Sequence, residues 1–190
     1  MRIVLLGAPG SGKGTQAALL VEDLDLPHIS TGEVLRAAVK SGTLLGRKAK
    51  AVMDRGELVP DDIMLGLMEE RLSETDVENG FILDGYPRNL SQAEALDELL
   101  ERLGRPVDEA LQIDIDVEMV IQRIAKRAEQ EGRSDDTEAV VRNRMKIYAE
   151  QTAPVVDYYA RRGVLSRVLG EGTVDEVFQR IRGVLQIRSS

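Results

Sequence analysis

Short apolar runs alternate with amphipathic stretches along the chain. Five runs have the length and the apolar character of strands, at residues 2–6, 28–29, 81–84, 110–115 and 164–169. Several of them are apolar on both sides, which is typical of parallel strands covered by helices on both faces. The alternation of strands and helices predicts a doubly wound α/β layer fold.

The stretches between these runs carry helix signals. The predicted apolar faces are Ala17, Leu20, Val21 and Leu24 in the first stretch, and Val177, Ile181, Val184 and Leu185 in the last. Capping boxes, in which a hydroxyl residue stands three positions before Glu, are predicted at Ser30/Glu33, Ser91/Glu94 and Thr173/Glu176. A further helix, capped by Asp116, is predicted to have the apolar face Val120, Ile121, Ile124 and Ala128.

Two segments interrupt the alternation. Residues 30–59 predict helices without an intervening strand and therefore a helical insert, whereas residues 127–136 are polar, loop-like and too short to form a domain. The expected organisation is one domain with a core formed by residues 1–29, 60–126 and 137–190.

Composition narrows the possible chemistry. The chain has 190 residues, no cysteine and one histidine, which excludes disulfides, thiolate zinc sites, a thiol nucleophile and HExxH metal sites. A formal net charge of −8 argues against binding to nucleic acids or anionic membrane surfaces. The first apolar run, residues 3–6, is too short for a signal peptide, and no run approaches the ~20 residues of a membrane span. We therefore expect a soluble cytoplasmic protein.

The first predicted strand is followed by a glycine-rich turn that ends in Lys13-Gly14-Thr15 and then by a helix. Such a turn can direct successive backbone N–H groups at an anion, and the helix N-terminus adds partial positive charge. Lys13 can then neutralise phosphate oxygens, and a nearby hydroxyl can reach Mg²⁺. The strict pattern GxxxxGK[ST] is not met, because the hydroxyl comes one residue late, at Thr15. A phosphate-binding loop is favoured over a glycine-rich turn without a ligand.

Asp84 ends the predicted strand at residues 81–84, where an open α/β sheet presents ligand groups. We expect it to hold Mg²⁺ through water, as an acidic residue at a strand end does in P-loop enzymes; the alternative is a carboxylate that caps the next turn. His28 lies close to the start of the insert and is expected to be a packed or exposed histidine at a strand end, without a chemical role.

Five stretches together carry a family resemblance. They are the P-loop form GAPGSGKGT at 7–15, STGEVLR at 30–36, FILDGYPR at 81–88, and the arginine-bearing stretches RSDD at 133–136 and RNR at 142–144. On these motifs the chain, from Arg2 to about Val177, resembles the adenylate kinases of the nucleoside-monophosphate kinase family, in the form with a short lid.

The resemblance implies a P-loop three-layer α/β/α fold with a five-stranded parallel sheet, an AMP-binding helical insert at 30–59 and a short lid at 127–136. It implies a monomer that transfers a phosphoryl group reversibly from ATP to AMP, giving two ADP, with Mg²⁺ and without zinc. Adenine nucleotide homeostasis would be its role in the cell.

The resemblance also implies site residues. ATP would be bound by Gly10, Ser11, Gly12, Lys13, Gly14, Thr15, Arg123, Arg127 and Gly172. AMP would be bound by Thr31, Gly32, Arg36, Glu57, Leu58, Val59, Gly85, Tyr86, Pro87, Arg88, Gln92, Arg133 and Arg144. The residues expected to act on the transferred group are Lys13, Asp84, Arg88, Arg127, Arg133 and Arg144, with Thr15 and Asp84 near the metal. Two bound nucleotides concentrate negative charge in one cleft, and arginine suits it because its planar fork grips two phosphate oxygens.

Two alternatives remain open. A uridylate/cytidylate kinase of the same family is favoured slightly by Asn89, whereas Thr31 and Gln92 resemble the adenine-facing residues of adenylate kinases. A nucleotide-dependent switch is disfavoured, because the chain has no Asn-Lys-x-Asp guanine-reading motif and a switch has no use for a second phosphate site.

Overall fold

The computed structural model describes residues 1–53, 59–116, 118–124 and 138–188. Within them, five strands form one parallel sheet in the order β2-β3-β1-β4-β5. The strands are β1 (Arg2–Leu6), β2 (His28–Ser30), β3 (Phe81–Asp84), β4 (Glu109–Asp114) and β5 (Leu165–Leu169). The predicted five-stranded parallel sheet is confirmed, and the predicted strand ends differ from the observed ones by a single residue at β2, β4 and β5.

Helices connect the strands. They are α1 (Lys13–Leu24), α2 (Thr31–Ser41), α3 (Leu44–Met53), α4 (Asp61–Leu72), α5 (Leu90–Arg102), α6 (118–124), α7 (Glu138–Ile147), α8 (Ala153–Arg161) and α9 (Val174–Arg188). A π-helical turn, Tyr148–Thr152, joins α7 to α8. In the described part of the chain, no helix is long and apolar enough to span a bilayer.

The core lies on both faces of the sheet, as the apolar runs predicted. Along the central strand β1, Ile3 and Leu5 pack on the face covered by α1 and α9. Val4 and Leu6 pack on the opposite face, which α4, α5 and α8 cover. All four side chains are at most 3% exposed. Alternate residues of a strand point to opposite faces, so β1 contributes to both apolar layers and the α/β/α layering is confirmed.

Some of the predicted helix caps are present in the structure. The box at Thr173 is confirmed, because Glu176 N donates to Thr173 Oγ1 at 3.2 Å and Thr173 N donates to Glu176 Oε2 at 2.8 Å. Asp116 Oδ1 accepts from Glu118 N at 2.8 Å, as expected of a cap. The apolar face predicted for α6 is partly wrong, since Ile121 is 37% exposed.

The other two predicted boxes are wrong. Ser30 does stand at the N-terminus of α2, but its side chain makes no capping hydrogen bond. The helix α5 begins one residue before Ser91, so Ser91 already lies inside the first turn. Asn89 caps this helix instead, because its Oδ1 accepts from the backbone N–H of Gln92 at 2.8 Å.

Candidate active site

The phosphate-binding loop joins β1 to α1 at the carboxyl edge of the sheet. Gly12 stands at the N-terminus of α1 with φ +96°, a left-handed conformation that favours glycine. The helix has no capping side chain and no acidic residue in its first turn. Its partial positive charge is therefore open to an anion, as the sequence predicted.

Lys13 folds back over this loop. Its Nζ donates hydrogen bonds to the carbonyl oxygens of Gly7, at 2.8 Å, and Ala8, at 3.0 Å. Ser11 is buried, so its hydroxyl is shielded from solvent. Thr15 is exposed in the first turn of α1, where its hydroxyl is accessible. The loop therefore offers an ammonium group, backbone N–H groups and one hydroxyl to a ligand.

Asp84 lies beside the loop. The register of β1 and β3 pairs it with Leu5, and its Oδ2 is 4.0 Å from the point where a Cβ on Gly14 would lie. Burial raises the pKa of this carboxyl, but His28, Lys13 and Arg88 lower it by more, so the pKa is below its ordinary value. Asp84 is therefore ionised at neutral pH.

His28 faces the same carboxylate. Its Nε2 lies 3.8 Å from Asp84 Oδ2, longer than a hydrogen bond, and the imidazole is half-buried. The expectation that His28 packs at a strand end is thus incomplete, because the ring also lines the site. The sequence did not reveal this contact, since the pairing of β2 with β3 is what brings the two residues together.

A second cationic position follows β3. Arg88 Nε donates to the Gly85 carbonyl at 2.8 Å. Gly85 has φ +83°, and a Cβ on it would lie 2.5 Å from Thr31 Oγ1 and 3.5 Å from Arg88 Nη2. A side chain at residue 85 would therefore fill the space that Thr31 and Arg88 share. These three predicted AMP-binding residues come together in the structure.

The charge environment of Arg88 includes a second arginine. Arg88 is exposed to solvent. Desolvation and the positive charge of Arg144 on α7 lower the pKa of Arg88, while Asp84 raises it. Arginine keeps its proton in proteins, so two like charges act on each other here. An anion at this position would relieve their repulsion.

Arg123 lies on the other side of the phosphate-binding loop. Its Nη2 donates to the Gly170 carbonyl at 3.0 Å, and its Nη1 lies 3.4 Å from the Ser11 carbonyl. It thus joins α6 to the loop and to the segment after β5. That segment contains Gly172 and is also held by Arg180, whose Nη1 donates to the Glu171 carbonyl at 2.6 Å.

Comparisons with known proteins agree with this geometry. The family model described as adenylate kinase matches residues 5–164. An adenylate kinase of Stenotrophomonas maltophilia (strain K279a) is 56% identical over 186 residues, which is 98% of this chain and 100% of that protein. One of Xanthomonas euvesicatoria pv. vesicatoria (strain 85-10) is 57% identical over 185 residues, or 97% of this chain and 99% of that protein.

The chain belongs to the adenylate kinase family. Its relatives are matched over their whole length, which is consistent with the short-lid form. The assignment confirms the prediction of an adenylate kinase and favours it over the uridylate/cytidylate kinase and the nucleotide switch.

Three residues that the adenylate kinase resemblance singled out are buried in the structure. Tyr86 is 1% exposed, and burial and the charge of Asp61 raise the pKa of its hydroxyl. Pro87 and Val59 are buried as well, so these three can offer a ligand little beyond their backbone. Arg36 is exposed on α2 and lies against Gly32, where a Cβ would be 3.2 Å from its Nη1. Glu57, Leu58, Arg127 and Arg133 lie outside the described residues.

Gln92 is buried, and its side-chain amide already has two protein partners. Its Nε2 donates to Asp61 Oδ1 at 2.7 Å, and its Oε1 accepts from the Arg88 backbone N–H at 2.7 Å. Sequence reasoning singled out Gln92 and missed Asp61, which lies 31 positions earlier. No local signal identifies Asp61, because an acidic residue in the first turn of a helix is common.

Proposed function

We propose that the protein transfers the γ-phosphoryl group of ATP reversibly to AMP, giving two ADP, with Mg²⁺ as its cofactor. The observation that carries this proposal is that two cations from separate elements act on one carboxylate, Asp84. The charges of Lys13, on the phosphate-binding loop, and Arg88, after β3, both lower its pKa. Two cationic positions near one carboxylate suit two phosphorylated substrates.

In this proposal ATP binds along the loop and α1. The backbone of 10–15 surrounds its phosphates, and Lys13 exchanges its carbonyl partners for phosphate oxygens. The base and ribose lie toward Arg123 and Gly172, where two chain segments are tied together by the Arg123 guanidinium.

AMP binds on the other side of Asp84, between the core and the insert 30–59. Arg36 and Arg88 hold its phosphate, and Thr31, Gly32, Gly85 and Gln92 surround its base with the backbone of residues 57–59 and 86–87. The proximity of Thr31, Gly85 and Arg88 supports this assignment.

The residues present fit Mg²⁺. An ionised carboxylate, Asp84, and an accessible hydroxyl, Thr15, are oxygen ligands of the kind that Mg²⁺ prefers. Within the described residues they belong to no cluster of three acidic or histidine side chains, so most other ligands would be phosphate oxygens and water. When bound, the metal would neutralise charge on the β- and γ-phosphates.

The chain's own residues supply alignment and charge. An AMP phosphate oxygen attacks the γ-phosphorus, and the bond from that phosphorus to the β–γ bridging oxygen breaks, which releases ADP. The attacking oxygen is already anionic, so no general base is needed. The reaction therefore does not require a histidine to remove a proton, and a chain with a single histidine can perform it. Lys13, Arg88 and Arg144, with Arg127 and Arg133 of the lid 127–136, stabilise the charge on the transferred group.

The experiment is a coupled assay of ADP formation with AMP, UMP, CMP and GMP as acceptors. We expect AMP to be used best, with activity lost on chelation of Mg²⁺. A preference for UMP or CMP would overturn the proposed acceptor.

We further propose a cytoplasmic monomer that binds no nucleic acid, in keeping with the net charge of −8. Sedimentation of the purified protein tests the monomer.

A further inference from the structure

Asp61, the first residue of α4, is the centre of a small polar network. Its Oδ1 accepts from Gln92 Nε2 at 2.7 Å, and Asn89 Nδ2 lies 3.2 Å and 3.3 Å from its two oxygens. Asn89 in turn accepts from the Gln92 backbone N–H, and Gln92 Oε1 accepts from the Arg88 backbone N–H. Gln92 is only 6% exposed, so this network acts on a buried side chain.

The network fixes the orientation of the Gln92 amide: its nitrogen points to Asp61 and its oxygen to the backbone N–H of Arg88. The carboxylate of Asp61 can only accept hydrogen bonds, and the backbone N–H of Arg88 can only donate one. If the amide were turned over, its oxygen would face the carboxylate and its NH₂ would face the N–H group. Both contacts would then be repulsive, in a buried place where unpaired polar groups are costly. Asp61 and Arg88 N together therefore permit a single orientation.

One donor and one acceptor site of Gln92 remain for a ligand after these bonds are made. A side-chain amide has two N–H groups and two oxygen lone pairs, and the network uses one of each. Adenine carries an amino donor at C6 beside ring nitrogen acceptors. A 6-oxopurine carries an acceptor at C6, which would meet the fixed oxygen of Gln92 unfavourably.

We propose that Asp61 determines acceptor specificity: its carboxylate fixes the direction of the Gln92 amide and thereby selects 6-aminopurine over 6-oxopurine nucleotides. This inference rests on the proposed function, in which Gln92 faces the base of AMP. Asp61 is a positioning residue, because it acts through Gln92 and touches no substrate itself.

The test compares AMP with inosine monophosphate, which differs from it only in the group at C6 and the adjoining ring proton. Asp61→Asn keeps the size of the side chain but can donate as well as accept, so it removes one of the two contacts that oppose a turned-over Gln92 amide, and the Arg88 N–H contact remains. We expect the ratio of kcat/KM for inosine monophosphate to that for AMP to rise roughly tenfold or more, the size of one hydrogen-bond mismatch in a buried site. The effect should lie in KM more than in kcat, and Asp61→Glu, which keeps a carboxylate, should restore the preference for AMP in part.

Asp62→Asn is the matched control. Asp62 is the next residue of α4 and is exposed, so this variant removes the same charge from the same helix end. Its substrate ratio should equal that of the wild type. A purely structural role of Asp61 would lower both kcat/KM values together and leave the ratio unchanged, which would overturn the proposal. If Asp61→Asn folds poorly, Asp61→Ser, whose hydroxyl also donates and accepts, gives the same comparison.

The Gln92→Leu background separates this proposal from the one on which it rests. There we expect a loss of discrimination between the two nucleotides and no further change on adding Asp61→Asn. A wild-type protein that makes no ADP from AMP would refute the proposed function itself. If Gln92→Leu changes the ratio but Asp61→Asn in the wild type does not, only the role of Asp61 is refuted.

Discussion

The hydroxyl of Thr152 donates a hydrogen bond of 2.7 Å to the backbone carbonyl of Arg88, 64 residues away in the chain. Thr152 ends the π-helical turn between α7 and α8, and α7 carries Arg144. The bond therefore ties the backbone of one proposed phosphate-binding arginine to the helical segment that carries another. The two arginines carry like charges, and the charge of Arg144 lowers the pKa of Arg88.

Thr152→Val should weaken this link without a large change in shape. The variant loses the donor, and because a typical hydrogen bond contributes about 1 kcal/mol, we expect kcat/KM for AMP to fall roughly threefold to tenfold. Thr152→Ser keeps the hydroxyl and should retain most of the activity. An unchanged kcat/KM in Thr152→Val would show that the bond does not position Arg88.

Removing either central cation should abolish most of the activity. Lys13→Met and Arg88→Ala each delete a charge beside Asp84, so we expect kcat to fall by about two orders of magnitude or more with the fold retained. Circular dichroism and thermal unfolding check the fold, and the ADP-formation assay measures kcat. Lys48→Met, on the exposed surface of α3, is the control for loss of a lysine. Near-normal turnover in a folded Lys13→Met or Arg88→Ala protein would contradict the proposed chemistry.

The Arg2–Asp108 ion pair should contribute stability that depends on pH. Arg2 Nε and Nη2 and its backbone N–H donate to Asp108 at 2.7–2.8 Å. Burial raises the pKa of Asp108, but these bonds lower it by more, so its pKa in the folded protein is below the ordinary value near 3.8. The folded state thus favours the ionised carboxyl, and its contribution is present above about pH 4 and lost as the pH falls through the lowered pKa.

Asp108→Asn should therefore lower Tm at pH 7 by a few degrees at most. The Asp108 side chain is 36% exposed, so solvent screening limits its contribution to about 1 kcal/mol. The difference in Tm from the wild type should shrink as the pH falls below about 4. A difference that stays constant down to acid pH would mean that the charge of Asp108 is not its source.

The capping box at the start of α9 offers a direct stability comparison. Thr173→Ala removes a side-chain cap and should cost about 1 kcal/mol, or roughly 2–4 °C in Tm. Ser91→Ala is the matched control, since Ser91 lies in the first turn of α5 and caps nothing there. It should leave Tm unchanged or raise it slightly, because alanine has the higher helix propensity. Equal losses in both variants would contradict the capping assignment.

The sequence predicted those parts of the fold that depend on residues close together in the chain. The strands and the phosphate-binding loop have local signals, namely apolar runs and a glycine-rich turn between a strand and a helix. The box at Thr173 was predicted correctly for the same reason. Local patterns do not decide between competing caps, however, and Asn89 caps α5 in place of Ser91 because the helix begins two residues earlier than a box at Ser91 implies.

Contacts between distant segments could not be predicted in this way. The bonds of Gln92 to Asp61 and of Thr152 to Arg88 join residues 31 and 64 positions apart. The approach of His28 to Asp84 depends on the pairing of β2 with β3. The sequence therefore predicts candidate site residues from local motifs but not the residues that contact them from distant segments.

The position of β1 at the centre of the sheet limits how far the site residues on the sheet can move. Backbone hydrogen bonds join β1 to β3 on one side and to β4 on the other, and apolar layers cover both of its faces. The phosphate-binding loop leaves from its end, next to Asp84 at the end of β3. To change the distance between the phosphate-binding loop and Asp84, the buried hydrogen bonds between β1 and β3 would have to break. The sheet therefore holds the two at a fixed distance. We expect any movement that admits or releases nucleotides to come from the parts of the chain around the sheet.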